Sequence, residues 1–272
     1  MTFKTLITIF FTFACWNHSF AQEKNGNDII TEYEHSINVQ DLVTEMEMKV
    51  VSKSGRVQER KLIQYVKAAE GCENCYNSVL RFEYPNDIKN TAALTLEHGD
   101  VKEDDQWLYL PAIGRSRRIS ASNQKDRFMG TEVTYEDISN SLSEDIKNYN
   151  YEFAGMDARD GLECYVLEIT PKNEATVKKS GYKKRKVWFR IDNFVIIYTE
   201  FYDKEGELLK TMHAKEVQKV PDTENDYRAH YIEMDNKQTA NKTIIKYNYF
   251  KIDQGLEDGL FTKRALEKEG AE

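Results

Sequence analysis

Alternation of apolar and polar side chains with a period of two dominates this chain, and it breaks only at short, punctuated turns. Leu42, Thr44, Met46, Met48 and Val50 fall on one face and Glu45, Glu47 and Lys49 on the other, which predicts a strand over residues 41–52. Ser52-Lys53-Ser54-Gly55 reads as a hairpin turn, and residues 56–67 as the return strand. The same reasoning predicts strands over 78–84, 91–97, 106–110, 115–120, 162–170, 184–191, 194–202, 207–218, 227–234 and 243–252. Pro85, Pro111, Pro171 and turns such as Asp203-Lys204-Glu205-Gly206 separate them. Three segments are read as helical instead. Residues 27–37 place Ile29, Ile30, Tyr33 and Ile37 on one side behind an Asn27 or Asp28 cap; residues 142–149 are short and polar; residues 256–266 carry Leu260, Phe261 and Leu266. No strand alternates with a long helix, which excludes a parallel α/β sheet.

Several strands are apolar on both faces. Residues 194–202 set Phe194, Ile196, Tyr198 and Tyr202 against Val195, Ile197 and Phe201. An open antiparallel sheet with one wet face does not need this, so the sheet must curl and have its hollow side covered, by its own helices or by a ligand. The stretch 104–138 is the densest. Gln106 to Leu110 form a strand, Pro111 and Gly114 turn it, and Arg115 and Arg117 then point one way while Ser116 and Arg118 point the other. A polar loop, 122–127, delivers the apolar tip Phe128-Met129-Gly130, which has no partner within its own segment. Something concave elsewhere is expected to receive it.

Composition narrows the function. Hydrophobic residues make up 40% of the chain, enough for a substantial core, and 16 Tyr and 13 Phe suit pleated surfaces. Acidic residues outnumber basic ones, 46 against 38, which argues against generic nucleic-acid binding. Residues 1–21 read as a signal peptide: Lys4 is the positive start, Leu6 to Cys15 the apolar run, and Ser19-Phe20-Ala21 the cleavage site. Cleavage after Ala21 leaves residues 22–272 as one exported domain. Thr12 and Phe13 fit poorly before a lipidated Cys15. Of the remaining cysteines, Cys72 and Cys75 sit between two strands rather than at a helix start, so a hairpin-tip disulfide or two plain thiols outweigh a redox motif, and Cys164 stands apart. His35, His98, His213 and His230 lack metal-ligand spacing, and there is no Gly-x-Ser-x-Gly elbow. No catalytic residue, metal or cofactor is expected.

The residues Gln106-Trp107-Leu108-Tyr109-Leu110-Pro111, Arg117-Arg118-Ile119-Ser120, Phe128-Met129-Gly130 and Thr134-Tyr135-Glu136-Asp137 together resemble the signature of the outer membrane lipoprotein-sorting-protein-like family. Cys164-Tyr165-Val166-Leu167-Glu168 and Asp258-Gly259-Leu260-Phe261 agree, and the likeness spans nearly the whole mature chain. The Cys72/Cys75 pair departs from the family pattern. The resemblance, to relatives of the lipoprotein carrier LolA often found near RND transporters of the MMPL kind, implies a mainly β (α+β) fold. This is a strongly curved antiparallel sheet of roughly eleven strands, an unclosed LolA/LppX-like half-barrel with short helices on its concave side.

It further implies a non-enzymatic periplasmic carrier of lipid or lipoprotein acyl chains, with an inner-membrane RND/MMPL transporter as partner. An envelope sensor of mislocalised lipoproteins is the second reading, and a lipid hydrolase the third. The residues assigned to the hydrophobic cavity or its gate are Met46, Met48, Trp107, Tyr109, Phe128 and Met129. Methionines suit a surface that refits around different chains, although packing on the first helix would explain them equally well. For Phe128 and Met129 the competing reading is an anchor in the ordinary core. Arg115, Arg117 and Arg118 are candidates for head groups at the rim, unless Glu136 and Asp137 pair with them. The basic run from Lys178 to Lys186 is either a solvated hairpin or a docking patch for an anionic surface.

Overall fold

A computed structural model describes residues 24–37, 39–99, 102–139, 147–221 and 223–268. The sequence-predicted signal peptide lies outside them, and so does most of the predicted helix at 142–149. The chain makes two meanders. The first runs through β1 (Asp41–Val51), β2 (Val57–Ala68), β3 (Tyr76–Tyr84), β4 (Ala92–Leu96), β5 (Asp105–Leu110) and β6 (Arg115–Ile119). The second runs through β7 (Tyr149–Arg159), β8 (Leu162–Pro171), β9 (Tyr182–Arg190), β10 (Ile196–Asp203), β11 (Leu208–Lys219), β12 (Tyr227–Asn236) and β13 (Lys242–Ile252). Pairing of β1 with β13 fuses them into one 13-stranded antiparallel sheet in the order β6-β5-β4-β3-β2-β1-β13-β12-β11-β10-β9-β8-β7. β6 and β7 are its two edges, so the sheet curves without closing.

Two expectations are corrected here. The sheet has thirteen strands rather than roughly eleven, and β7 was not read from the sequence at all. A bulge between Phe153 and Gly155 interrupts its alternation halfway along. A short helix, α3 (Glu174–Ser180), was also missed; α1 (Gly26–Ser36) matches its expected range to within one residue, but its cap is Asn25 rather than Asn27 or Asp28.

The concave side is covered from two directions. Asn25 and Asp28 form a capping box that starts α1, and Ile29, Ile30 and Tyr33 pack it onto Tyr149, Leu167, Val187 and Phe189. Gly26 is dictated by this contact, since a Cβ there would lie 2.2 Å from the Tyr151 carbonyl oxygen. The second cover is the connector between β6 and β7, which contains α2 (Tyr135–Ser139). It sends Phe128, Val133, Tyr135 and Ile138 into the hollow against Met48, Leu62, Phe82 and Leu108. Phe128 stacks on Phe82 with ring centres 5.6 Å apart. The hollow that the apolar tip required is therefore this one.

The C-terminal tail, ending in α4 (Lys263–Leu266), lies on the other side. Phe261 and Leu266 pack on Val79, Leu94 and Tyr109 of the convex face, and buried Arg81 donates to the Ala265 and Leu266 carbonyls.

Candidate functional site

Cross-strand register builds the floor of the site. Met46 opposes Tyr247, Met48 opposes Ile245, Ile245 opposes Ile232, Ile232 opposes Ala214, and Met234 opposes Met212. Directly opposed residues share a face, so these side chains form one apolar ladder across four strands. Thr199 and Val187 extend it to β10 and β9. Tyr33, Ser36 and Ile37 of the α1 region roof one part, and Phe128, Val133 and Ile138 of the connector roof another. Between floor and roof remains a mostly apolar cavity of about 300 Å³. That is roughly twice the volume of an engineered apolar cavity able to hold benzene. Desolvation pushes the Tyr247 hydroxyl up to about 12, which keeps it neutral at physiological pH.

The connector is held from a row of residues beside this ladder, through the polar groups of Asn236 and Lys210. Asn236, Lys210, Phe201 and Arg185 follow one another across β12, β11, β10 and β9. Lys210 is only 2% exposed, and its ammonium donates to the Glu132 carbonyl at 2.7 Å and to Asp137 Oδ2 at 2.6 Å. Tyr182 donates to Asp137 Oδ1 at 2.9 Å, and its hydroxyl is held well above its ordinary value by burial first and by the Asp137 charge second. Asn236 donates to Glu132 Oε2 at 2.7 Å, while the Glu132 amide donates to Thr243 Oγ1. Gln106 of β5 holds the far side of the connector, its Nε2 donating to the Tyr135 carbonyl and to Ser139 Oγ.

Met46, Met48 and Phe128 line the cavity. Met129 does not; it packs on the same core from the tip with a left-handed φ of +49°. Phe128 is fully buried beneath a riveted connector, so its geometry is that of an anchor. Trp107 and Tyr109 lie on the convex face with Phe261 and Leu266, and their assignment to the cavity is corrected. Leu108 is the residue of that strand facing inward. Large apolar side chains on both faces of β5 hid which face was the inner one; the C-terminal tail covers the other.

None of the three arginines lines the apolar cavity, although Arg118 borders a smaller pocket with Glu103, Asp104 and Lys179. Arg118 pairs with Asp105 at 2.6 Å, and Arg117 lies beside the Tyr135 hydroxyl. Arg115 opposes Leu110 at the β6 edge. The proposed acidic partners are engaged elsewhere: Asp137 with Lys210, and Glu136 with Lys179 at 3.7 Å. The basic run from Lys178 is split between α3 and β9, where Lys184 meets Glu168 and Arg185 turns to the cavity.

Missing from the sequence-based set are Met212, Ala214, Ile232, Met234 and Tyr247. The alternation of Ile232 and Met234 with Glu233 and Asp235 is the signal that marks them. Cys72 and Cys75 form a disulfide in the β2–β3 turn, and Cys164 is a buried thiol that burial pushes up. Among the described residues, no group of His, Cys, Asp and Glu is arranged to hold a metal, and no helix is long and apolar enough to cross a membrane.

Residues 76–268 match the model of a protein family described only as uncharacterized. No curated protein matches the chain. A domain ascribed to outer membrane lipoprotein sorting, from Vibrio parahaemolyticus, is 32% identical over 89% of this chain and 98% of its own, with a TM-score of 0.81. A DUF1329 family protein from Desulfovibrio piger is 28% identical over 89% of this chain and 97% of its own, with a TM-score of 0.82. A LolA superfamily protein from Nitrosomonas europaea shares the fold at 20% identity, 89% and 99% coverage and a TM-score of 0.68.

Proposed function

The chain belongs to the DUF1329 family of outer membrane lipoprotein-sorting-like proteins, and from that premise we propose that it is a non-enzymatic periplasmic carrier of acyl chains. Its cargo is the lipid moiety of a lipoprotein or another hydrophobic ligand, held between the sheet and its two covers. The observation that carries this reading is the continuous ladder from Met46 to Met212, roofed but not filled by α1 and the connector. Each methylene moved from water into such a space gains about 0.8 kcal/mol, so apolar walls bind a chain without hydrogen-bond specificity. Four flexible methionines, Met46, Met48, Met212 and Met234, let those walls refit around chains of different length. Export by the segment 1–21 and handover to or from an RND-type transporter complete the proposal. Export rests on the signal-peptide pattern of those residues, and the transporter on the sequence resemblance.

The test is titration with a fluorescent fatty acid. Ala214 lines the cavity, so Ala214→Phe should fill it and weaken binding by about tenfold or more, while the protein stays folded. Unchanged affinity in a folded Ala214→Phe protein would remove the cavity from the account.

A further inference from the structure

Charged groups buried on the concave side come with opposite charges. Lys210 has Asp137, and Arg228 is forked onto Asp226 through two 2.8 Å bonds. Arg60 breaks this pattern. It is 8% exposed, and among the described residues its guanidinium makes one hydrogen bond, from Nη2 to the Gln58 amide oxygen at 3.5 Å. Nη1 is buried without a partner, and no carboxylate among the described residues lies within ion-pair distance of the guanidinium. Asp87, exposed in the β3–β4 turn, acts on it only through space. Desolvation lowers its pKa, yet a guanidinium remains charged at neutral pH. A buried charge without a counter-charge is strongly unfavourable, so its environment is complete only with an anion.

The position of Arg60 says which anion. It opposes Met48 in the β1–β2 register and shares the concave face with Leu62. Its guanidinium lies 5.7 Å from the centre of the Phe82 ring, which stacks on Phe128. Met48 and Phe128 both line the cavity. Arg60 therefore stands just beyond the cavity, toward the Ser52–Gly55 turn and away from the α1 end.

We propose that Arg60 is the head-group site of the cavity, taking the carboxylate or phosphate of a single-chain amphiphile whose tail lies along the methionine ladder. This rests on the carrier reading and narrows its cargo to anionic chains. The planar fork of a guanidinium matches both oxyanions.

The test compares laurate, dodecyl phosphate and dodecanol, which share a tail, with inorganic phosphate as the tailless control. The wild-type protein should bind the two anionic chains about tenfold or more tightly than the alcohol. Arg60→Met should erase that preference and leave dodecanol affinity about unchanged, Arg60→Lys should keep part of it, and Asp87→Asn none the less retain all of it. Equal affinity of the wild-type protein for the three chains overturns the head-group site and leaves carriage standing; this comparison needs no variant to fold. Binding of none of them removes carriage, and the head-group site with it. Preference that survives in Arg60→Met, or inorganic phosphate binding as tightly as dodecyl phosphate, also overturns the proposal.

Discussion

Lys210 and Asp137 are the residues on which the roof of the cavity depends most. Their pair is almost fully withdrawn from water, and Tyr182, Thr134 and the Glu132 carbonyl complete its hydrogen bonds. Removing one member leaves the other charged and alone, so Lys210→Met should destabilise the protein by about 3–5 kcal/mol in urea unfolding. A loss below about 1 kcal/mol would mean that the connector is held by packing alone. None of this pairing was legible in the sequence, because Lys210 and Asp137 are 73 positions apart and each reads locally as an ordinary exposed charge. Met46 and Met48 were legible, since their neighbours Glu45, Glu47 and Lys49 mark the opposite face. Trp107 and Tyr109 were misplaced for the converse reason: polar residues mark neither side of β5, since Asp105 on the outer face is matched by Gln106 on the inner.

At the level of elements, β5 and β11 offer a direct contrast. Trp107 sits on the convex face under the Lys263 ammonium, 4.7 Å from its ring centre, and belongs to the cluster beneath the C-terminal tail. Trp107→Ala should therefore lower stability by about 2 kcal/mol and leave fatty-acid affinity unchanged, the reverse of what Ala214→Phe does. Thermal melting and probe titration on the two variants check this; loss of binding in Trp107→Ala would put the cavity on the wrong side of the sheet. The helices were legible where an apolar stripe runs over three turns, as in α1, and not where the element is only a turn or two long, as in α2 and α3, even though Asn173 and Gly181 cap α3. β7 escaped because its bulge shifts the alternation and its outer half faces solvent, with Met156 62% exposed.

The molecule as a whole is defined by the pairing of its first and last strands, which places both covers over one hollow and leaves β6 and β7 as separate edges. That an antiparallel sheet must curl could be read from strands greasy on two faces. How the hollow is shared between protein and cargo could not, since it depends on how deeply α1 and the connector sit. Asn236 and Lys210 hold the connector at its depth through Glu132 and Asp137. Native mass spectrometry of the protein, purified without detergent and offered mixed bacterial lipids, tests the central claim most directly. Carriage predicts a complex with one acyl-chain ligand that disappears in Ala214→Phe. A wild-type protein that stays at its bare mass with every lipid offered would contradict it.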